Sequence, residues 1–161
     1  MTDSSLRPFF APAGVMVVGA SKDPTKLGYA LARNLIRSGY AGAIHFINPR
    51  GGTLLGHPMY TRIADVPDPV ELAIILVPPP FVPDTMREVG ERGIRAAIVA
   101  TGGFRETGPE GAALENQLVE IARQYGIRFI GPNCIGVTNT HLPMDTRSEE
   151  HTSELQSRQV I

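Results

Sequence analysis

Cysteine is almost absent from this sequence: Cys134 is the only one in 161 residues. A lone cysteine excludes an intramolecular disulfide and is typical of a reducing compartment. The first residues also lack a basic segment followed by an apolar run, which a secretory signal peptide requires. We therefore expect a cytoplasmic protein.

An excess of one charge is missing as well. Fifteen Lys and Arg residues are balanced by 16 Asp and Glu residues, a formal net charge of −1. That balance gives no electrostatic basis for binding nucleic acid or an anionic membrane surface. No apolar run approaches the roughly 20 residues of a membrane-spanning helix, and His57, expected in a loop, has no second ligand at metal-site spacing. We expect no nucleic acid, membrane or metal among the partners of the chain.

Glycine and proline, by contrast, are abundant, with 17 and 14 residues. They separate short apolar runs from segments with helical periodicity, an alternation typical of α/β proteins. The pattern predicts a single Rossmann-like α/β domain with a mostly parallel sheet and helices on both faces. The expected strands cover residues 15–18, 43–47, 71–77, 95–100 and 127–130, and the expected helices cover residues 28–36, about 83–92 and 109–125. Residues 56–67 are expected to form a brief extended piece and a helical turn.

The first strand and the loop after it carry the strongest functional signal. The strand ends at Gly19, Ala20 and Ser21, whose small side chains let a ligand approach the backbone. A helix that begins near Gly28 directs N–H groups and its positive dipole end at the same place, and Lys26 lies between them. This arrangement predicts a phosphate site for a nucleotide-like cofactor. The loop contains neither G-x-G-x-x-G nor Gly-Lys-Ser/Thr, so an ordinary strand-to-helix turn is the alternative.

The residues after the second strand bear on the identity of that cofactor. NAD-binding chains usually carry Asp or Glu there, where a carboxylate accepts hydrogen bonds from the ribose hydroxyls. This chain has Asn48, Pro49 and Arg50 instead. Because a guanidinium can hold a phosphate through paired hydrogen bonds, we expect a ligand with a phosphate on its adenosine ribose. CoA and NADP both fit, and Arg50 as a solvated turn residue is the alternative.

Two further strands end in residues suited to a ligand cleft. One runs into three prolines at positions 78–80, which we expect to hold the backbone extended as a stiff apolar wall. The next strand ends in the small residues Ala100, Thr101 and Gly102. Since open α/β sheets bind ligands at the carboxyl ends of their strands, these segments predict one shared cleft.

The chain resembles the CoA-binding N-terminal domain of NDP-forming acyl-CoA synthetases and the α subunit of succinyl-CoA synthetase. The resemblance covers about residues 6–140, and it rests on several short segments that occur in the order of that family. These segments are Val18-Gly19-Ala20-Ser21, Asn48-Pro49-Arg50, Val77-Pro78-Pro79-Pro80-Phe81, Ala100-Thr101-Gly102-Gly103-Phe104 and Gly131-Pro132-Asn133-Cys134-Ile135-Gly136.

The resemblance implies coenzyme A as the cofactor. Its phosphates would lie on the loop of Ser21 and Lys26, its adenosine and pantetheine against the prolines, and its pantetheine arm on the backbone of residues 100–102. Asn133 and Cys134 would lie on a loop that leads toward the acyl-transfer centre. The residues expected to bind CoA are Gly19, Ala20, Ser21, Lys26, Gly28, Asn48, Arg50, Val77, Pro78, Pro79, Ala100, Thr101, Gly102 and Asn133.

The family reaction converts acid, CoA and ATP reversibly to acyl-CoA, ADP and phosphate. It uses a phosphohistidine from a later domain and a separate ATP-grasp module, and neither is recognisable here. We expect a CoA-binding fragment without catalytic residues, inactive alone, whose partners are the phosphohistidine and ATP-grasp domains or subunits of a parent synthetase. The alternatives are a stand-alone CoA-binding protein, an NADP-binding oxidoreductase fragment and a fusion to an acetyltransferase.

The last residues differ in character from the rest of the chain. Residues 147–161 are polar, lack apolar periodicity and match nothing in the family. Residues 147–157 equal a translation of common sequencing-adapter DNA. We therefore interpret residues 147–161 as a non-native or disordered tail, and we expect the CoA-binding domain to cover residues 1–146.

Overall fold

The computed structural model describes residues 6–148, and a seven-stranded sheet forms their centre. Its strands are β1 Gly14–Val18, β2 Ala43–Ile47, β3 Gly52–Leu54, β4 His57–Tyr60, β5 Leu72–Ile75, β6 Ala96–Val99 and β7 Arg128–Ile130. They lie in the order β3-β4-β2-β1-β5-β6-β7. All neighbouring strands are parallel except β3 and β4, which form an antiparallel hairpin.

Helices cover both faces of the sheet. They are α1 Arg7–Phe10, α2 Leu27–Arg37, α3 Val82–Glu91 and α4 Pro109–Tyr125. Side chains alternate along β1, so that Val15 and Val17 are buried with Leu31 of α2, whereas Met16 and Val18 are buried with residues of α3 and α4. The predicted α/β class, with a mostly parallel sheet covered on both faces, is confirmed. No helix within residues 6–148 is long and apolar enough to cross a membrane.

The strand order reverses beside β1. This strand pairs with β2 on one side and with β5 on the other. The hydrogen bonds continue past the strand ends, where the N–H of Gly19 donates to the Ile47 carbonyl (3.0 Å) and the N–H of Leu76 donates to the Val18 carbonyl (2.8 Å). Because α2 and α3 leave adjacent strands toward opposite faces, a crevice opens at the carboxyl end of β1.

The predicted elements agree with the structure to within two residues at each end, but two local predictions are wrong. His57 begins strand β4 rather than lying in a loop, because Leu55 and Gly56 both have positive φ (49° and 83°) and close a tight hairpin. The prolines are not extended throughout. Pro78 is extended, but Pro79–Phe81 form a 3₁₀ turn that leads into α3, since proline fits the first turn of a helix.

A short antiparallel ribbon, which the sequence did not predict, follows β7. Its strands are β8 Thr138–Asn139 and β9 Met144–Asp145. Beyond it, the guanidinium of Arg147 lies 2.7 Å from a carboxylate oxygen of Asp145, and Ser148 is buried. Packed structure therefore continues past the domain end predicted at Thr146. The rest of the predicted tail, residues 149–161, lies outside the described residues.

Helix α2 approaches the turn after β1 more closely than a side chain would allow. A Cβ on Gly28 would lie 2.3 Å from the carbonyl oxygen of Gly19. Gly19 itself has a φ of 95°, and a Cβ there would lie 2.8 Å from the carbonyl carbon of Leu76. These two glycines bring the start of α2, the turn after β1 and the end of β5 into direct backbone contact.

Gly28→Ala is expected to destabilise the domain by about 1–3 kcal/mol, the usual cost of overfilling a packed site. The obstructing atoms belong to backbone and cannot rotate away. Urea unfolding followed by circular dichroism measures the loss. In the control Gly56→Ala, a Cβ meets nothing within 4 Å, so only the positive φ is penalised. A Gly28→Ala protein as stable as the wild type would contradict the contact.

His45 of β2 is expected to make the stability of the domain depend on pH. Its ring is half-buried and lies edge-on to Tyr60, with the ring centroids 5.9 Å apart. Burial lowers the pKa of His45 and the Arg92 guanidinium lowers it further, against the opposing effects of the Pro69 carbonyl and the Asp68 carboxylate. Its Nε2 is buried and has no hydrogen-bond partner within residues 6–148.

A lowered pKa means that the unfolded chain binds a proton at His45 more readily than the folded domain does. Stability should therefore be independent of His45 above its unfolded pKa of about 6.5, and should fall as the pH drops below that value. Urea titrations at a series of pH values check this. His45→Gln should flatten the dependence, whereas His141→Gln, at an exposed turn residue, should leave it unchanged. The same slope in all three proteins would remove His45 as the cause.

Candidate functional site at the carboxyl ends of the strands

A cleft of about 420 Å³ lies where the strand order reverses. We call it the main cleft. Its walls come from the turn after β1, the start of α2 and the ends of β2, β5 and β6. The residues that line it are Gly19, Ala20, Ser21, Lys26, Leu27, Gly28, Asn48, Leu76, Val77, Pro78, Ala100, Thr101 and Gly102. The structure thus brings most of the predicted site residues together around one space.

The α2 end of the main cleft is electropositive. Lys26 is the N-cap residue of α2, no side chain caps this helix end, and its first turn contains no acidic residue. The positive end of the helix dipole and a lysine therefore face the same space. Asp23 is used within the loop, because its carboxylate accepts hydrogen bonds from the hydroxyl (2.7 Å) and N–H (2.9 Å) of Thr25. These two hydrogen bonds, the hydroxyl first, lower the pKa of Asp23.

Lys22 lies beside the α2 end of the cleft, although the predicted set omits it. Its ammonium group stands directly over Gly52, where a Cβ would be 2.2 Å from Nζ. Gly52 follows the turn that carries Arg50, so Lys22 reaches from the loop after β1 to the turn after β2. Arg50 is exposed and does not line the main cleft, but it belongs to the same rim.

Asn48 joins the two turns. Its side-chain amide nitrogen donates to the carbonyl of Ala20 (2.8 Å), and its side-chain oxygen accepts from the N–H of Arg50 (2.9 Å). The residue that stands where NAD-binding chains carry a carboxylate therefore ties the end of β2 to the turn after β1. This contact could not be read from the sequence, because it joins residues far apart along the chain.

A second cleft, of about 550 Å³, lies on the α3 side of the same crevice. It shares Gly19, Asn48, Leu76, Val77 and Pro78 with the main cleft. Its other walls are Val18, Ile47, Pro49, Thr61, Arg62, Ile63, Phe81, Thr85 and Glu88. The sequence did not predict it, because residues 61–63 reach the crevice only through the packing of the segment after β4.

The β6 end of the main cleft is built from strand ends that bind each other. The hydroxyl of Thr101 donates to the Val77 carbonyl (2.7 Å), and the N–H of Asn133 donates to the Thr101 carbonyl (2.9 Å). Pro79 and Asn133 do not line the cleft. Pro79 packs under Gly103, where a Cβ would lie 2.7 Å from its Cγ, so this predicted site residue supports the wall from behind. The side chain of Asn133 lies beside Gly102, where a Cβ would be 3.1 Å from its oxygen.

The histidines and the cysteine within residues 6–148 lie outside the two clefts. Neither cleft is lined by His45, His57, His141 or Cys134, and His151 falls outside the described residues. Cys134 is half-buried, and its sulfur accepts from the N–H of Gly136 at 3.4 Å. Within residues 6–148, no group of three or more His, Cys, Asp or Glu could hold a metal ion. The two clefts offer a ligand small residues, apolar side chains, a few polar groups and the ammonium group of Lys26.

Known proteins are similar in sequence to most of this chain. The family model described as "CoA binding domain" matches residues 14–140. The α subunit of ADP-forming acetate–CoA ligase II from Pyrococcus furiosus is 47% identical over 133 residues, which are 83% of this chain and 29% of that subunit. ADP-forming acetate–CoA ligase I of Archaeoglobus fulgidus is 40% identical over 84% of this chain and 20% of that enzyme.

Solved structures share the fold. A crystal structure from Pyrococcus horikoshii OT3 aligns with a TM-score of 0.85 and 44% identity, over 89% of this chain and 33% of that one. Dinucleotide-forming acetyl-coenzyme A synthetase 1 of Ca. Korarchaeum cryptofilum aligns with a TM-score of 0.86 and 38% identity, over 90% of this chain and 31% of that one. The chain spans about a third or less of each of these proteins. It belongs to the CoA binding domain family, and it is homologous to the N-terminal part of ADP-forming acyl-CoA synthetases.

Proposed function

We propose that the main cleft binds coenzyme A with its phosphates against the turn between β1 and α2. The observation that carries this proposal is the backbone contact between Gly28 and Gly19. It brings the uncapped start of α2 to the carboxyl end of β1, so that the helix dipole and Lys26 face the position of an anion. The glycines also leave the backbone bare, which lets a phosphate come close.

The second cleft suits the adenine ring. A planar base needs a flat apolar surface with a few polar groups at its edge. Val77 and Pro78 supply one wall, and Phe81, a residue that is 61% exposed, lies beside it. Thr61 and Glu88 supply polar groups. The pantetheine arm then follows the main cleft over residues 100–102, where its amide groups meet backbone.

Lys22 and Arg50 favour a ligand with a phosphate on its ribose, as coenzyme A has, over one whose ribose is unphosphorylated. Both are exposed cations on the rim beside the turn after β2. Together they provide positive charge for the 3′-phosphate of CoA, while the absence of a carboxylate after β2 removes the usual partner of an unphosphorylated ribose. Asn48 contributes by holding this rim in place.

Calorimetry should show that CoA binds more tightly than dephospho-CoA, and that NAD binds weakly or not at all. Lys22→Gln and Arg50→Glu should each weaken CoA binding by about 1.5–3 kcal/mol, the scale of charged hydrogen bonds. Both variants should bind dephospho-CoA as the wild type does, since that ligand lacks the 3′-phosphate. Arg37→Gln, in the last turn of α2, is the matched control and should change neither affinity.

Equal affinities for CoA and dephospho-CoA would remove Lys22 and Arg50 from the site. Tighter binding of NADP than of CoA would instead favour an oxidoreductase fragment.

We also propose that the chain is the CoA-binding module of an ADP-forming acyl-CoA synthetase that joins an acid and CoA at the expense of ATP. Its partners would be the domains or subunits that supply the phosphohistidine and the ATP-grasp site. The contribution of this chain would be to hold CoA in a defined position. Holding CoA so that its thiol meets an activated acyl group can lower a barrier by several kcal/mol, but only when another module brings that group.

The chain alone should therefore form no acyl-CoA from ATP, magnesium, acetate and CoA above a protein-free control. The histidines within residues 6–148 lie outside both clefts, so none of these histidines is placed to carry a phosphoryl group beside bound CoA. A full-length ADP-forming acetate–CoA ligase assayed in parallel shows that the conditions support turnover. Turnover that is lost in His57→Ala or Cys134→Ala would contradict the proposal and make the chain an enzyme in its own right.

A further inference from the structure

The loop after β6 carries a carboxylate that is fixed by backbone. Oε1 of Glu106 accepts a hydrogen bond from the N–H of Gly103 at 2.6 Å. The N–H groups of Glu106 itself and of Phe104 also face this carboxylate. These backbone donors, Gly103 first, lower the pKa of Glu106. The side chain therefore presents a negative charge in a defined position at neutral pH.

This charge stands at the β6 end of the main cleft, opposite the α2 end with its lysines. Gly102 lines the cleft, and a Cβ on it would lie 3.4 Å from Oε1 of Glu106 and 3.1 Å from the side-chain oxygen of Asn133. The neighbouring cation, Arg105, is directed away, since its Nε lies 3.3 Å from a carboxylate oxygen of Glu115 on α4. The cleft is thus positive at one end and negative at the other.

We propose that Glu106 is a specificity-determining residue that disfavours acyl groups ending in a carboxylate. This inference rests on the proposed function. With its phosphates at the α2 end, CoA extends its pantetheine arm over residues 100–102 and carries its thiol toward Gly102 and Asn133. A thioester formed on that thiol places the acyl chain beside Glu106, where a terminal carboxylate meets a like charge and an uncharged chain does not.

Glu106 acts on an anion in two ways. Its charge repels a second carboxylate, and its oxygens occupy backbone N–H groups that would otherwise attract one. Two substitutions separate these effects. Glu106→Gln removes the charge but keeps a side-chain oxygen that can accept from the N–H of Gly103. Glu106→Ala removes both and opens the backbone donors.

Butyryl-CoA and succinyl-CoA are the matched probes, because their acyl chains have equal carbon number and differ in the terminal carboxylate. The wild-type chain should bind butyryl-CoA about two- to fivefold more tightly, the range expected for one exposed charge interaction. The preference should shrink as salt is added. Glu106→Gln should abolish it while keeping the affinity for CoA itself, and Glu106→Ala should reverse it. Glu110→Gln, in the first turn of α4, is the control and should keep it.

Equal binding of the two acyl-CoAs by the wild type, or a preference that persists in Glu106→Gln, would overturn the inference. If Glu106→Ala loses its far-ultraviolet circular dichroism, that variant is unfolded, and the result for Glu106→Gln alone tests the inference. Failure to bind CoA at all would defeat the proposed function instead, whereas CoA binding without discrimination between the two thioesters would defeat only the role of Glu106.

Discussion

The candidate site depends on the direct backbone contact between the start of α2 and the turn after β1. Gly28 and Gly19 permit it, because a methyl group at either position would overlap backbone atoms. If α2 stood farther from the sheet, its dipole and Lys26 would not face the carboxyl end of β1. The buried side chains of α2, among them Leu31 and Leu35, pack against the same sheet and hold the helix at this distance. The contact between Gly28 and Gly19 therefore affects both the packing of α2 on the sheet and the geometry of the candidate site.

Much of the cleft is made of backbone, and its polar side chains mostly bind backbone in turn. Asn48 ties Ala20 to the turn after β2, and Thr101 ties the end of β6 to the end of β5. Each of these bonds satisfies a strand-end group that would otherwise need water. Val77 lines both clefts, and its carbonyl accepts the hydrogen bond from the hydroxyl of Thr101. This bond therefore holds a residue that the two clefts share. The strand ends that form the walls are thus hydrogen-bonded to one another.

The sequence predicted the five parallel strands, the three longer helices and the edge of the sheet where the candidate site lies, because periodicity, glycines and prolines are local signals. Contacts between distant residues were out of reach. Lys22 joins the rim only because β3 folds back and places Gly52 beneath it. Pro79 was expected in the wall and lies behind it, because a proline that follows a strand can either stay extended or begin a helix. The sequence did not single out Glu106, because its position depends on which backbone N–H groups of its own loop donate to its carboxylate.

The distribution of charge matters more here than its sum. A net charge of −1 hides two opposite local fields: cations at the start of α2 and along the rim of the turn after β2, and a carboxylate beside Gly102. A ligand with anionic groups at one end and a neutral arm at the other can place its anionic groups near Lys26 and away from Glu106 in only one orientation. The reversed orientation would place phosphates against Glu106 and leave Lys26 without an anion. If the cleft binds coenzyme A as proposed, this separation of charge would favour one orientation of the elongated ligand over the reverse.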